Sequence, residues 1–237
     1  MKIVNQHVEL LDWMGSDLSV VNAARVSFNK VSESFDARDS KLISYLARHN
    51  HWTPFAHTSL SFRIKCPLFV ARQLGKHQVG LVWNEVSRRY VDDEPEFYMP
   101  SLWRLKAENV KQGSSDVGAM ALEVDGHQIS VDGAVESSMR QALWVYQQLL
   151  KNDIAPELAR MVLPQNTMTE FIWTGNVASF ARVCNLRLDS HTQRETQEIA
   201  KLIYNQSFAK FPASIGALCA GLAAPDTPTG EESSTNH

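Results

Sequence analysis

The sequence predicts a single α+β domain, because segments with the periodicity of strands and of helices alternate along it without an internal repeat or a clear linker. Residues 59–65 alternate between polar and apolar side chains, which is typical of a half-buried strand. Apolar residues recur at helical spacing in residues 135–151 and 191–209. With 237 residues, 44% of them hydrophobic, the chain can bury a sizeable core.

The N-terminal part of the chain is expected to supply a strand and then two helices. Residues 2–13 alternate loosely and predict the strand. Ser16 or Asp17 can cap the first helix, because either side chain accepts hydrogen bonds from free backbone N–H groups. Asp39 can cap the second helix, which should end at His49.

Two stretches lack regular periodicity. Residues 107–134 contain turn formers such as Asp125 and Gly126, and they predict a variable insert with a small hairpin. Residues 225–237 are polar and are expected to form a disordered tail, so the domain should comprise residues 1–224. Helices are predicted at 135–151, 155–163, 175–187 and 191–209.

Composition argues against several classes of protein. No segment approaches the roughly 20 apolar residues of a membrane span, and the first residues lack a signal-peptide core, so we expect a soluble, cytoplasmic protein. Cys66, Cys184 and Cys219 are far apart in the sequence, which fits a reducing compartment and neither a disulfide framework nor a zinc site. The net charge of −3 gives no general basis for binding nucleic acid.

The densest polar stretch lies between residues 72 and 90. It places four fixed cations, one histidine and several amide and hydroxyl side chains within nineteen residues. Arginine suits phosphate oxygens, and amide side chains can read the edge of a base or a flavin, so this composition fits a nucleotide ligand. A solvated charged surface is the alternative that composition alone leaves open.

The spacing within this stretch favours a binding site. Arg72 and Lys76 are four residues apart, as are Gln73 and His77, so a helix would present two polar stripes. Residues 84–90 have the pattern of an extended segment, in which alternate side chains share a face.

The helix predicted at 175–187 brings two polar residues to one side. Asn176 and Arg187 are eleven residues apart, which is close to three helical turns, and Phe180 and Val183 lie between them on the same face. The alternative is a core helix that ends in an exposed arginine.

Common catalytic and metal motifs find little support. His49, His51 and His57 are close in sequence, but no cysteine accompanies them and no carboxylate occurs between residues 40 and 65, so we expect no metal site. Ser87 has no histidine near it in sequence, so a serine nucleophile is not supported. Neither a G-x-G-x-x-G run nor a P-loop occurs.

Several segments, in the expected order, resemble signature motifs of the flavin-dependent thymidylate synthases, also called thymidylate synthase-complementing proteins. Asn84-Glu85-Val86-Ser87-Arg88-Arg89-Tyr90 is similar to their Asn-Glu-x-Ser-x-Arg-Tyr motif. Residues 185–193, preceded by Ala159–Pro164, resemble their Leu-Arg-x-Asp-x-His-x-Gln segment, and residues 51–57 resemble their Thr-Pro-Phe-x-His element. The resemblance covers residues 40 to 210, approximately.

The resemblance implies the fold of that family, a mostly antiparallel twisted sheet flanked by helices. It implies reductive methylation of dUMP, with methylenetetrahydrofolate as carbon donor and with FAD, reduced by NADPH, as hydride carrier. Neither an enzyme nucleophile nor a metal is implied. A homotetramer is also implied, whose active sites draw on several subunits, so that segments 72–77 and 176–187 of one site could come from different chains.

The resemblance also implies roles for individual residues. Arg187 would stabilise negative charge on the pyrimidine, with His51 and Ser87 as the other candidate catalytic residues. Substrate-binding residues would be Gln73, Lys76, Ser87, Arg88, Arg89, Arg160 and Arg187. Residues close to the flavin would be Thr53, Lys76, His77, Gln78, Glu85, Asn176, Arg182 and His191.

The sequence departs from the family pattern at several positions. Lys76-His77-Gln78 stands where the family has Arg-His-Arg, and the spacer at 79–83 is one residue longer. Arg182 stands where asparagine is common and Ala178 where arginine is common, so our hypothesis is that Arg182 partly replaces a lost flavin contact. These departures keep open two alternatives, a flavin enzyme that transfers a hydroxymethyl group to the same pyrimidine and a non-catalytic nucleotide-binding relative.

Overall fold

The computed structural model describes residues 1–90, 93–107 and 113–223. The strands are β1 (Lys2–Ile3), β2 (His7–Met14), β3 (Ser59–Pro67), β4 (Leu81–Glu85), β5 (Glu96–Phe97), β6 (Arg104–Lys106), β7 (Ser114–Gly118), β8 (Ala121–Val124), β9 (His127–Ser130) and β10 (Met168–Gly175). The helices are α1 (Asp17–Arg25), α2 (Ala37–Arg48), α3 (Leu68–Leu74), α4 (Val131–Lys151), α5 (Pro156–Ala159), α6 (Val177–Arg187), α7 (Arg194–Lys210) and α8 (Pro212–Leu218). Short 3₁₀ turns occur at Val26–Phe28, Thr53–His57 and Arg160–Val162.

A four-stranded antiparallel sheet lies at the centre of the fold, with the strand order β2-β3-β10-β4. β10 is an inner strand, on which Trp173 pairs with Phe62 of β3 on one side and with Trp83 of β4 on the other. β1 pairs in parallel with β5, whereas β6 with β7 and β8 with β9 form antiparallel pairs. The predicted α+β class with a mostly antiparallel sheet is therefore confirmed.

One face of this sheet carries the main hydrophobic core. Leu60, Phe62, Ile64 and Cys66 alternate along β3 and are fully buried, as the alternation at 59–65 predicts. Helices α6 and α7 supply buried side chains to the same core, and Phe180 of α6 meets Phe62 edge-on with ring centroids 5.0 Å apart. The core therefore fixes the orientation of α6 relative to the strands, which matters for the site described below.

Two smaller clusters complete the interior. Asp17, at the start of α1, accepts hydrogen bonds from the backbone N–H groups of Ala213 and Ser214 and so holds the N-terminus of α8. The cluster between α1, α2 and α8 contains Val20, Val21, Ile43, Leu46 and Phe55. The cluster beneath α4 contains Phe97, Met139, Leu143, Tyr146 and Ala159.

Asp39 does not cap the second helix. Asp36 does so, because its carboxylate accepts from the backbone N–H groups of Arg38 at 2.7 Å and Asp39 at 3.0 Å. Asp39 lies within the first turn of α2, where it is buried and accepts from the guanidinium of Arg25 at 2.5 Å. The helix thus starts at Ala37, and the prediction of Asp39 as its cap is wrong.

The polar stretch at 72–90 is less regular than its spacing indicates. Helix α3 ends at Leu74, so Lys76 and His77 lie in a loop and not on a helical stripe. β4 ends at Glu85, and the N–H of Tyr90 donates to the carbonyl of Ser87 at 2.9 Å in a turn. The prediction that the strand continues through residue 90 is therefore wrong.

The segment predicted as an insert contains a hairpin. β8 and β9 are joined at Asp125 and Gly126, which have positive φ values of 51° and 78°, as a tight two-residue hairpin turn requires. Helix α4 already begins at Val131, inside that segment. The tail expected at 225–237 lies outside the described residues. Among the helices of residues 1–90, 93–107 and 113–223, none is long and apolar enough to cross a membrane.

Candidate active site

The loop of residues 75–80, which connects α3 to β4, packs against α6. Arg187, the last residue of α6, donates from Nε to Nε2 of His77 at 2.8 Å. Its Nη2 donates to the carbonyl of Gln73 at 3.2 Å. Segments 72–77 and 176–187 therefore contact each other within one chain, whereas the resemblance had allowed contributions from different chains.

His77 is neutral in this arrangement. Burial first, and then the positive charges of Arg187 and Arg182, lower the pKa of His77 from 6.5 to about 4. Because Nε2 accepts from Arg187, the proton of the neutral ring is on Nδ1. A neutral imidazole is what allows a guanidinium to lie against it without repulsion between two cations.

We expect His77 to make the protein less stable as the pH is lowered. Between pH 6.5 and about 4 the unfolded histidine binds a proton more readily than the folded one, so the free energy of unfolding decreases as the pH falls. Since the ring is only half-buried, we expect a loss of roughly 1 kcal/mol at pH 5. Urea unfolding at pH 7.5 and pH 5 measures it, and His77→Gln should lack this component. An equal pH dependence in both proteins would contradict the assignment.

A first cavity, of about 650 Å³, lies on the β4 side of the 75–80 loop, and we call it the β4-side cavity. Arg72 and Lys76 line it together with Gln78 and Glu85. Two cations, an amide and a carboxylate on one wall can bind a ligand that carries both phosphate oxygens and hydroxyl or N–H groups.

Glu85 is held rigidly in this cavity. Its Oε1 accepts from the hydroxyl of Thr169 at 2.6 Å, and its Oε2 accepts from the indole N–H of Trp83 at 3.1 Å. Both donors belong to the central sheet, so the carboxylate is oriented by strands and not by a mobile loop.

A second cavity, of about 620 Å³, lies on the α6 side of the loop, and we call it the α6-side cavity. His51, Trp52, Asn176 and Arg182 line it. Asn176 also caps α6, because its Oδ1 accepts from the N–H of Ser179 at 2.9 Å. The cavity thus combines exposed aromatic surface with a helix N-terminus and one guanidinium.

A third cavity, of about 810 Å³, borders the other end of α6. Arg187 and His191 line it, and so does the amide of Gln73. Two side chains hold that amide in place. Gln73 donates to the side chain of Gln193, the residue before α7, and accepts from the hydroxyl of Thr196 on α7 at 3.1 Å. Neither Gln193 nor Thr196 is among the site residues predicted from the sequence, although Gln193 belongs to the motif at 185–193.

Other candidate residues lie apart from this cluster. In the turn after β4, Ser87 Oγ accepts from Nε and from the backbone N–H of Arg89, both at 3.3 Å, and Arg88 donates to the carbonyl of Asp93 at 3.0 Å. Arg160 is exposed on its 3₁₀ turn and donates to the carbonyl of Glu157 at 3.3 Å. Thr53 is exposed at the start of another 3₁₀ turn, two residues after His51.

The chain matches the family model of the thymidylate synthase complementing proteins, Thy1, over residues 9–213. It belongs to this family. The family and the enzyme class expected from the motifs are therefore confirmed. Among the family's members, the flavin-dependent thymidylate synthase of Thermosipho africanus is 40% identical over 207 residues, covering 86% of this chain and 87% of that protein.

Further relatives and solved structures agree with this membership. A flavin-dependent thymidylate synthase of Thermus thermophilus is 38% identical over 196 residues, covering 83% of this chain and 69% of that protein. The crystal structure of the UMP/dUMP methylase PolB from Streptomyces cacaoi, bound with 5-Br dUMP, superposes with a TM-score of 0.79 at 33% identity. That superposition covers 93% of this chain and 97% of PolB.

None of the three cysteines lines the cavities described above. Cys66, Cys184 and Cys219 are all buried and unpaired, and burial raises the pKa of each thiol. In the part of the chain that the structure describes, no group of three or more His, Cys, Asp or Glu side chains is arranged to hold a metal ion.

Proposed function

We propose that this chain converts dUMP to dTMP by reductive methylation, with methylenetetrahydrofolate as carbon donor and with NADPH as the source of reducing equivalents through FAD. The observation that carries the proposal is the contact of Arg187 with His77 and Gln73, in a chain that matches the Thy1 family over residues 9–213. This contact joins the two most distinctive motifs of the sequence at one place between cavities.

Arg187 is the residue to which we assign the main catalytic role. Its guanidinium is oriented by two acceptors, the ring of His77 and the carbonyl of Gln73, so it needs no reorganisation when charge develops on a bound pyrimidine. It also lines the third cavity, together with His191. The positive charge of its guanidinium can stabilise an electron-rich uracil ring.

The residues around the 75–80 loop fit a flavin nucleotide. Lys76 supplies a cation and Gln78 an amide group on one side of the loop, and Asn176 supplies an amide group on the other. His51 and Trp52 add planar side chains in the α6-side cavity, against which a ring system can lie. Bound there, FAD would supply the hydride that the reaction needs. The protein's own part is to hold the rings and phosphates and to exclude water.

We assign the nucleotide phosphate to the turn after β4. Ser87, Arg88 and Arg89 follow one another there, and a hydroxyl and two guanidinium groups suit a phosphate. Lys76 of the β4-side cavity can add a further charge. Glu85, which already accepts from two protein donors, is suited to accept from a ligand hydroxyl.

A homotetramer is part of the proposal, because Arg160 lies away from the cluster around Arg187. Its side chain is exposed and, among the residues that the structure describes, donates to the carbonyl of Glu157. Apolar neighbours are also exposed, with 76% of Met161 and 55% of Leu158 accessible. A second copy that covers this surface would let Arg160 complete the nucleotide site of its neighbour.

The absence of a suitable thiol supports a route without an enzyme nucleophile. The three cysteines of the chain are buried, and none lines the three cavities described above. Ser87 Oγ accepts hydrogen bonds from Arg89, and no histidine contact to it is found in the described ranges. Activation of the pyrimidine must then come from charge stabilisation and from reduction.

A second candidate substrate is UMP. The solved structure that superposes with a TM-score of 0.77 on 93% of this chain is described as a UMP/dUMP methylase bound with 5-Br UMP. The same fold is therefore associated with a nucleotide that carries a 2′-hydroxyl group, and the assay must offer both nucleotides.

The deciding experiment is to incubate the purified protein with dUMP or UMP, methylenetetrahydrofolate, FAD and NADPH, and to weigh the nucleotide product by mass spectrometry. We expect dUMP to gain one methylene unit. A hydroxymethyl product would favour the alternative transfer reaction. Unchanged nucleotide from a protein that still binds FAD would contradict the proposed activity and leave a binding protein.

A further inference from the structure

The carbonyl oxygen of Val79 receives two hydrogen bonds from α6. Ser179 Oγ donates to it at 3.0 Å, and Nη2 of Arg182 donates to it at 2.7 Å. The two donors are three residues apart, so they stand on adjacent turns of one helix face. One backbone group of the 75–80 loop is thereby held at two points, one of them charged.

Gly80, the residue after Val79, allows the loop backbone to lie close to α6. Gly80 has φ +74°, and a Cβ there would lie 2.2 Å from Ser179 Oγ and 3.0 Å from Nδ2 of Asn176. A Cβ on Gly175 would lie 2.5 Å from the carbonyl oxygen of Gly80. The loop backbone therefore rests directly on the start of α6, with no space for a side chain between them.

The attachment falls where the sequence departs from its family's motif. Val79 follows Lys76-His77-Gln78 directly and begins the longer spacer, while Arg182 stands where the resemblance has asparagine. From Val79 the loop runs back over three residues to Lys76, and His77 among them accepts the hydrogen bond of Arg187. An arginine, whose side chain reaches further than that of asparagine, can thus hold a loop that is one residue longer.

We propose that Arg182 is a positioning residue, which anchors the 75–80 loop through the carbonyl of Val79 and so sets the places of Lys76, His77 and Gln78 in the site. The inference rests on the proposed function for what those three residues bind. It differs from a direct flavin contact by Arg182, because the guanidinium acts on the ligand only through the loop.

Ser179 provides the decisive variant, since Ser179→Ala removes one anchor of the same carbonyl without changing the charge. We expect the pKa of His77, followed by NMR titration of the ligand-free protein, to rise in Ser179→Ala, because a loosened loop exposes the ring. It should rise further in Arg182→Ala, which loosens the loop and also removes a positive charge that lowers this pKa. In Arg182→Lys the pKa of His77 should lie close to its value in the unaltered protein. This titration needs neither substrate nor flavin, so it tests the anchor even if the proposed reaction is absent.

FAD affinity supplies the second measurement. We expect about tenfold weaker FAD binding in Arg182→Ala and a smaller loss of the same kind in Ser179→Ala. The double variant should lose less than the product of the two single losses, because both act on one carbonyl. Arg140→Ala, the same substitution at an exposed arginine of α4, should change neither quantity.

Two results would overturn the inference. If Ser179→Ala leaves the pKa of His77 and the FAD affinity unchanged while Arg182→Ala weakens FAD binding, then Arg182 contacts the flavin directly. If Ser179→Ala leaves the pKa of His77 unchanged and Arg182→Lys, which keeps the charge, does so too, then the bonds to Val79 do not hold the loop.

Discussion

Arg187→Ala is expected to lower kcat/KM for dUMP by on the order of 10²–10³-fold. Removal of one preoriented donor at a site of developing charge has effects of that size. Within α6 (Val177–Arg187), Arg187 alone hydrogen-bonds to both His77 and Gln73, so no neighbour on this helix replaces it. Steady-state kinetics measures the loss, and kcat should fall more than KM rises, because the interaction strengthens as charge develops.

Arg187→Lys is the matched variant for this prediction. Lysine keeps the positive charge but lacks the planar fork with which Nε and Nη2 of Arg187 reach the His77 ring and the Gln73 carbonyl. We therefore expect an intermediate rate, with the fold intact by circular dichroism. Activity of Arg187→Ala within threefold of the unaltered protein would sink the catalytic assignment.

Trp173→Ala is expected to destabilise the protein by about 4 kcal/mol, since truncation of a large buried aromatic side chain leaves a cavity. Trp173 is fully buried on β10, and its ring centroid lies 5.5 Å from that of Trp83 and 5.4 Å from that of Phe180. It thus packs between the strand that carries Glu85 and the helix that carries Arg187. Urea unfolding at neutral pH measures the loss.

Trp144→Ala is the control for this substitution, because 56% of Trp144 is exposed on α4. We expect a change within about 0.5 kcal/mol there, as is usual for surface positions. A comparable loss at both positions would mean that contacts of Trp144 with another chain dominate the measurement. A loss below about 1 kcal/mol at Trp173 would contradict its place in the core.

Local features of the fold could be predicted from the sequence, because they depend on neighbouring residues. The alternation at 59–65 identifies β3, and the helical spacing at 175–187 identifies α6. Asp36 and Asp39 show the limit of such local signals. Both are good capping residues three positions apart, and which of them precedes the first turn depends on the buried pairing of Asp39 with Arg25.

Long-range features could not be predicted from the residues in this way. β10 received no strand prediction, although it is an inner strand, because its partners on β3 lie more than a hundred residues earlier in the chain. The amide of Gln73 meets Thr196 across 123 residues, and nothing in either local sequence indicates that pairing. Motif resemblance identified Arg187 and His77 separately, but their mutual hydrogen bond is a property of the folded chain.

The burial of all three cysteines has a practical consequence. Because burial raises the pKa of Cys219 to about 12, and those of Cys66 and Cys184 well above their ordinary value, the native thiols are poor nucleophiles at neutral pH. A thiol introduced by Glu123→Cys, on the exposed hairpin of β8 and β9, would then react alone with a maleimide dye. The protein can therefore carry a single fluorophore for ligand titrations without removal of any native cysteine.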